Sequence, residues 1–167
     1  MTAVLTIGSS TMAMAQDATD SQKFRVRVPT TISITAPVDA QIDHDETDND
    51  LSFPNQQWVV KANVLSGVMV AFEAQSPFTH TVDPTFQRDA KLTLSLGGTQ
   101  GPADWTITQA TDTTDYANAS PTAVVTASSS GVGRASLDLA VQFITDNYGT
   151  FAAGDYESTV VGTVTAN

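Results

Sequence analysis

The densest group of chemistry-bearing side chains is Asp43-His44-Asp45-Glu46-Thr47-Asp48-Asn49-Asp50, with five acids and one of the two histidines in eight residues. Hard oxygen ligands gathered in one loop suit calcium. Asp43, Asp45, Asp48 and Asp50 would be its first ligands. The EF-hand pattern nevertheless fails. Counted from Asp43, the fifth position is Thr47, the sixth is Asp48 where Gly is needed for the sharp turn, and the twelfth is Pro54 in place of Glu. Like charges at this density more often form a solvated loop, and that reading is preferred.

A nucleophilic site needs a base beside its nucleophile. Only His44 and His80 offer a conventional one. His44 lies among carboxylates, and His80 lies in Phe78-Thr79-His80-Thr81, which reads as ordinary strand or loop. Neither accompanies a Gly-x-Ser-x-Gly elbow. Two histidines and no cysteine cannot make a zinc site without several carboxylates in support. Paired acids of the glycosidase type are not singled out by any spacing. The expectation is a non-enzyme, with no catalytic, cofactor-binding or metal residue assigned.

Trp58 and Trp105, with Tyr116, Tyr148 and Tyr156, are the side chains from which a sugar-stacking platform would be built. Trp58 shares its parity with Val60, Ala62 and Val64, which favours a place in the core. Trp105 shares parity with Ile107, but the Gly101-Pro102-Ala103-Asp104 loop before it puts it near a sheet end.

The elements that must hold these residues read as strands. Phe24, Val26, Val28, Ile32 and Ile34 fall on one parity, so Phe24 to Thr35 is expected to be a half-buried strand interrupted at Pro29. Arg25 and Arg27 occupy its polar parity, as on a solvated face or a protected edge. Residues 37–54 form a polar loop. The runs 57–64 and 67–74, divided by Ser66-Gly67, are expected to pair as a hairpin. Ala90 to Leu96 alternates cleanly before Gly97-Gly98, and 104–108 gives another short strand. Residues 112–121 are loop by turn chemistry. A second hairpin is expected from 122–127 and 133–143, across Ser128-Ser129-Ser130-Gly131. Leu137, Ala140, Val141 and Ile144 also fit a helix, but Leu137, Leu139, Val141 and Phe143 alternate without a miss, and a strand is preferred. Last comes a β-type run after Gly154-Asp155-Tyr156, with Tyr156, Val160 and Val164 on one face; it is expected to close the sheet with no anchor behind it.

Composition agrees with this pattern. The 167 residues suit one domain, 41% are hydrophobic and only 15% charged, and hydroxyl and β-branched residues are abundant. The fold class is therefore all-β: an antiparallel β-sandwich of about eight or nine strands over residues 24–167. A net charge of −11 disfavours nucleic acid as a partner, and no run of apolar residues is long enough to insert in a membrane. With no cysteine, stability must come from the core. At the N-terminus, Ala3-Val4-Leu5-Thr6-Ile7 followed by Ala13-Met14-Ala15 reads as a signal peptide over residues 1–15, with a polar lead over 16–23.

Three segments, Val28-Pro29-Thr30-Thr31-Ile32-Ser33-Ile34, Gln57-Trp58-Val59-Val60-Lys61-Ala62-Asn63, and Gly154-Asp155-Tyr156 leading to Thr159–Thr165, resemble the immunoglobulin-like β-sandwich subunits of bacterial pilins and spore-coat-U-like surface proteins, which implies an immunoglobulin-like antiparallel sandwich. These families often carry a disulfide, which this chain lacks. The resemblance implies a secreted, non-enzymatic structural or adhesive subunit, at the cell surface or outside the cell after periplasmic transit. Its partners would be other surface or filament subunits, itself included, joined by β-strand complementation. The Phe24 to Ile34 segment is then either the donated strand or the domain's own first strand, and the second is preferred. The alternative is a secreted carbohydrate-binding module with a polysaccharide partner.

Overall fold

The computed structural model describes residues 17–167. The signal-peptide reading of residues 1–15 lies outside them. Thirteen strands follow in chain order: β1 (Ile32–Thr35), β2 (Leu51–Ser52), β3 (Gln56–Ala62), β4 (Val68–Ala74), β5 (Phe78–His80), β6 (Gln87–Arg88), β7 (Ala90–Gln100), β8 (Trp105–Gln109), β9 (Thr111–Thr113), β10 (Ala123–Ser129), β11 (Gly133–Phe143), β12 (Tyr156–Glu157) and β13 (Val160–Ala166). One turn of 3-10 helix, Tyr116–Asn118, is capped by Asp115. The chain is all-β, as its alternation requires.

Two antiparallel sheets make the sandwich. One runs β1-β3-β11-β7-β9, with β2 against the end of β11; the other runs β13-β4-β10-β8. A small sheet, β12-β5-β6, closes one end. Alternation decides which side chains enter the core. From the first sheet come Trp58, Val60 and Ala62 of β3, Leu92 and Leu94 of β7, and Ala135, Leu137 and Leu139 of β11; from the second come Val68, Val70, Phe72 and Ala74 of β4, and Ala123, Val125 and Ala127 of β10. The layers meet where the Trp58 ring stands edge-on to Phe72, centroids 5.1 Å apart. Fully burying a side chain such as Phe72 is worth about 1.5–3 kcal/mol.

Both expected hairpins are corrected by the topology. β3 lies in the first sheet and β4 in the second, and β10 and β11 divide in the same way. Each connection crosses between layers. The turn chemistry is right, but the partner is chosen by which inner face needs covering, and adjacent strands in sequence need not pair. Gly67 makes the first crossing possible: φ is +78°, and a Cβ there would lie 1.9 Å from the Ser129 carbonyl oxygen. The segment 112–121, expected as loop, contributes β9 and the 3-10 turn. The 133–143 run is strand, with Leu137, Leu139 and Phe143 buried at alternate positions.

The strand expected over Phe24 to Thr35 forms only from Ile32 onward. Asn63 explains where it begins. Its Oδ1 accepts the Thr31 amide at 2.6 Å, and its Nδ2 donates to the Pro29 carbonyl at 2.8 Å. Ahead of that clamp, Phe24, Val26 and Val28 are 82%, 88% and 76% exposed. Alternation is necessary for a strand there, but ladder partners are also needed, and among the described residues none reaches residues 24–28.

Candidate functional site

Three places collect the residues singled out by sequence: the end of the sandwich holding both histidines, a groove between the layers, and the unpaired N-terminal arm.

At the end, the acidic loop acts as a clamp. Asp48 Oδ1 accepts the Tyr148 amide at 2.8 Å, Asp50 Oδ1 accepts the Thr145 amide at 3.0 Å, and the Thr145 hydroxyl donates to the Asn49 carbonyl at 2.8 Å. Asp45 turns inward on its own segment, accepting from the Thr47 amide and hydroxyl. Those bonds, the hydroxyl foremost, hold the Asp45 carboxyl below its ordinary value. Asp83 is lowered in the same way by Thr85. Asp43, Asp45, Asp48 and Asp50 are thus not drawn into one shell, and no three His, Asp or Glu side chains gather as a metal site among the described residues.

Both histidines have their ring nitrogens occupied. His44 Nδ1 accepts the Glu46 amide at 3.0 Å. Because the Thr145 proton goes to Asn49, His44 Nε2 is the donor in its 3.1 Å contact with the Thr145 hydroxyl. His80 is buried; its Nδ1 accepts the Val82 and Asp83 amides at 3.2 and 2.9 Å, and its Nε2 donates to Ala153 O at 3.2 Å. In this arrangement each imidazole is a turn-stabilising acceptor, with its Nδ1 lone pair committed to backbone amides.

Between them lies an aromatic cluster in which Tyr148 and Tyr156, two of the tyrosines named from sequence, meet Phe143 and Phe151, which sequence reading did not join to them. His44 stacks on Tyr148, centroids 5.3 Å apart, and meets Phe151 edge-on at 5.6 Å; Phe143, Phe151 and Tyr156 contact one another at 5.8 Å. Arg88 Cζ lies 4.6 Å over the Phe151 ring, while its Nη1 donates to Tyr116 Oη at 3.0 Å and its Nη2 donates to the Thr150 hydroxyl. Tyr156 donates to Ala152 O at 2.9 Å, and burial pushes its phenol above the ordinary range. Phe143, Tyr148, Phe151 and Tyr156 crowd the sequence between β11 and β12, a signal hidden by the polar residues around them.

The groove lies beside this cluster. Phe53, Trp58, Phe78, Leu139 and Val141 line it from the core side, with Phe53 stacked on Phe78 and with Trp58, Phe78 and Leu139 almost fully buried, and its volume is about 460 Å³. One wall is the chain after β1, residues 36–40; the other is Tyr156 to Val160, leading into β13. The groove exists because β1 is short. Its register with β3 ends at Thr35 opposite Val59, so the edge of Gln56 to Trp58 carries no strand on that side. Among the described residues β13 is likewise a sheet edge, paired only with β4. Among the described residues the charged ones lining the groove are Asp39 and Glu157, both acidic.

Trp58 and Trp105 are 9% and 8% exposed, so both belong to the core and neither makes a sugar platform. Trp105 was the less committed of the two by sequence; its place opposite Ser129 on the inner face of β8 decides it. The chain matches no family model and no curated protein.

Proposed function

We propose that the protein is a secreted, non-enzymatic structural or adhesive subunit of a surface or filament assembly, joining further subunits by β-strand addition. The observation that carries this reading is the arm Phe24 to Val28. It has β-type alternation, three highly exposed apolar side chains and no ladder partner among the described residues, and it precedes a sandwich with open sheet edges. Such a segment gains main-chain hydrogen bonds and apolar burial only by adding to another edge. The signal-peptide pattern of residues 1–15 supports export. A carbohydrate-binding module finds less support, because both tryptophans are in the core.

Sedimentation velocity on the full chain over a rising concentration series tests the reading. Concentration-dependent oligomers are expected, and the triple variant Phe24→Asp/Val26→Asp/Val28→Asp is expected to abolish them while keeping the wild-type melting temperature. A wild-type chain that stays monomeric throughout, or a triple variant that assembles as well as wild type, overturns it.

A further inference from the structure

We infer that the outer face of the first sheet, at the end where β1 begins, binds an acidic polysaccharide, with Lys61 and Arg134 holding a sugar carboxylate and the open floor at Gly98 seating the ring. This goes beyond the assembly reading, because it names a ligand for the adhesive role and needs no contact between subunits.

The two cations are placed against elementary electrostatics. Lys61 of β3 and Arg134 of β11 stand directly opposite in the ladder, and both side chains leave the sheet on its solvent face, since Val60, Ala62 and Ala135 of the other parity are buried. Their Cβ atoms are then about 5 Å apart, and like charges so placed destabilise a strand pair. Neither makes an ion pair among the described residues, although the chain has eighteen acidic residues against seven basic ones. Asp138, the acid of β11, lies four residues further on and accepts from Gln57 Nε2 at 3.2 Å. Ser33 and Gln100 continue the row on either side, so four strands present a hydroxyl, two cations and an amide in line. An anion that accepts from both Lys61 and Arg134 turns their repulsion into two charge-assisted hydrogen bonds.

The floor beside them is open. Two residues along the strands, about 6.7 Å by their rise, the next outward row is Val59, Ser136 and Gly98. The register shifts here, between Ser136 and Leu137, where β7 bulges at Gly97. Gly97 is required sterically, because a Cβ would lie 2.6 Å from Asp138 Oδ2. Gly98 is not: its Cβ would meet nothing within 4 Å, and its φ is not positive. A strand glycine weakens its strand, so one without a steric cause marks a place where another molecule approaches closely. These rows carry no aromatic side chain, and their one apolar side chain, Val59, is half-buried, so they lack the anchors of a protein interface and the apolar patch of a lipid-binding one. Carboxylated sugar rings match what is present: an anion for the cation pair, and hydroxyls for Ser33, Gln100 and Ser136. The arm with Lys23, Arg25 and Arg27 leaves from this same end, past the Asn63 clamp, and adds long-range attraction for a polyanion.

Calorimetric titration of the full chain with polygalacturonate oligosaccharides at low salt tests this. Wild type is expected to bind, to lose affinity as salt rises, and to ignore the fully methyl-esterified oligosaccharide, which keeps the rings and lacks the charge. Lys61→Gln and Arg134→Gln should each weaken binding about tenfold while melting at or above the wild-type temperature, because each relieves a like-charge pair. Gly98→Ile, which fills the floor, should weaken it about as much with no loss of stability. Arg25→Gln/Arg27→Gln and Phe24→Ser/Val26→Ser/Val28→Ser should stay within about threefold of wild type. No binding by wild type, equal binding of the ester, or wild-type affinity in either glutamine variant or in Gly98→Ile overturns the inference. A glutamine variant that melts below wild type, or a loss as large in the arm variants, overturns it too. So does equal affinity for duplex DNA or phosphatidylglycerol vesicles, which would make the face a patch of charge with no seat for a ring. Strand addition is read separately: a chain that binds the oligosaccharide and never oligomerises leaves this inference standing and overturns the assembly reading, and oligomers that ignore the oligosaccharide do the reverse.

Discussion

Single positions carry unequal weight in this molecule. Gly67 has φ +78° and no room for a methyl group beside the Ser129 backbone, so Gly67→Ala strains the chain and displaces a neighbouring strand end. Its expected cost is about 3 kcal/mol or more, read from the denaturant midpoint. Gly162 is a softer case: its would-be Cβ meets side-chain atoms, Ile34 Cδ1 and Trp58 Cζ3, each at 2.8 Å. Gly162→Ala should cost about 1–3 kcal/mol, the range for overpacking. Titration follows from the turns. Asp45 and Asp83 have lowered folded-state values, so their contributions are present above the ordinary carboxylate range, near pH 4, and are lost as pH falls through the lower folded values. Tyr156 has the opposite sign: raised in the fold, it contributes fully below pH ~10 and loses that contribution as pH rises through its higher folded value. Melting temperatures should therefore fall at both extremes. Thr85→Val should shrink the acid-side loss and leave the alkaline side unchanged.

At the scale of elements, the acidic loop and the β11–β12 connection behave as one unit. The Thr145 side chain and backbone are buried, and its amide has Asp50 as acceptor. Asp50→Ala leaves that donor unsatisfied and should cost about 1–3 kcal/mol, measured by chemical denaturation. Calcium should leave the melting temperature of the wild-type chain unchanged, because Asp48 and Asp50 point at backbone amides and the carboxylates do not converge. The start of β1 depends on Asn63. Asn63→Ala should speed hydrogen exchange at the Thr31 amide about tenfold or more, with little change at the core of β4, since only the clamp is removed. These elements were legible to different degrees. The alternation in β4, β7 and β11 shows directly, because burial on one face imposes a period of two. The clamp was not visible: carboxylates that bond amides about a hundred residues away in sequence look the same as carboxylates in water.

The whole molecule is a sandwich whose two ends differ. One end carries the clamped loops and the aromatic cluster, with the groove alongside, and the other sends out the cationic arm. Removing Phe72 from between the layers tests the common core: Phe72→Ala should cost about 3–5 kcal/mol, since its cavity is walled by both sheets. By itself the sequence determined that the chain is all-β, that β3, β4, β7, β8, β10, β11 and β13 are strands with their apolar parity inward, and that Trp58 favours the core. Those properties are local, written in period, turn residues and composition. Only the tertiary structure decided that neighbouring runs divide between opposite layers, that β1 begins at Ile32, that the histidines serve backbone amides, and that a groove opens beside β13. Each of these depends on which distant surface is left to cover and which hydrogen-bonding edge is left to meet. Local alternation states that a segment can pair; the rest of the molecule decides with what.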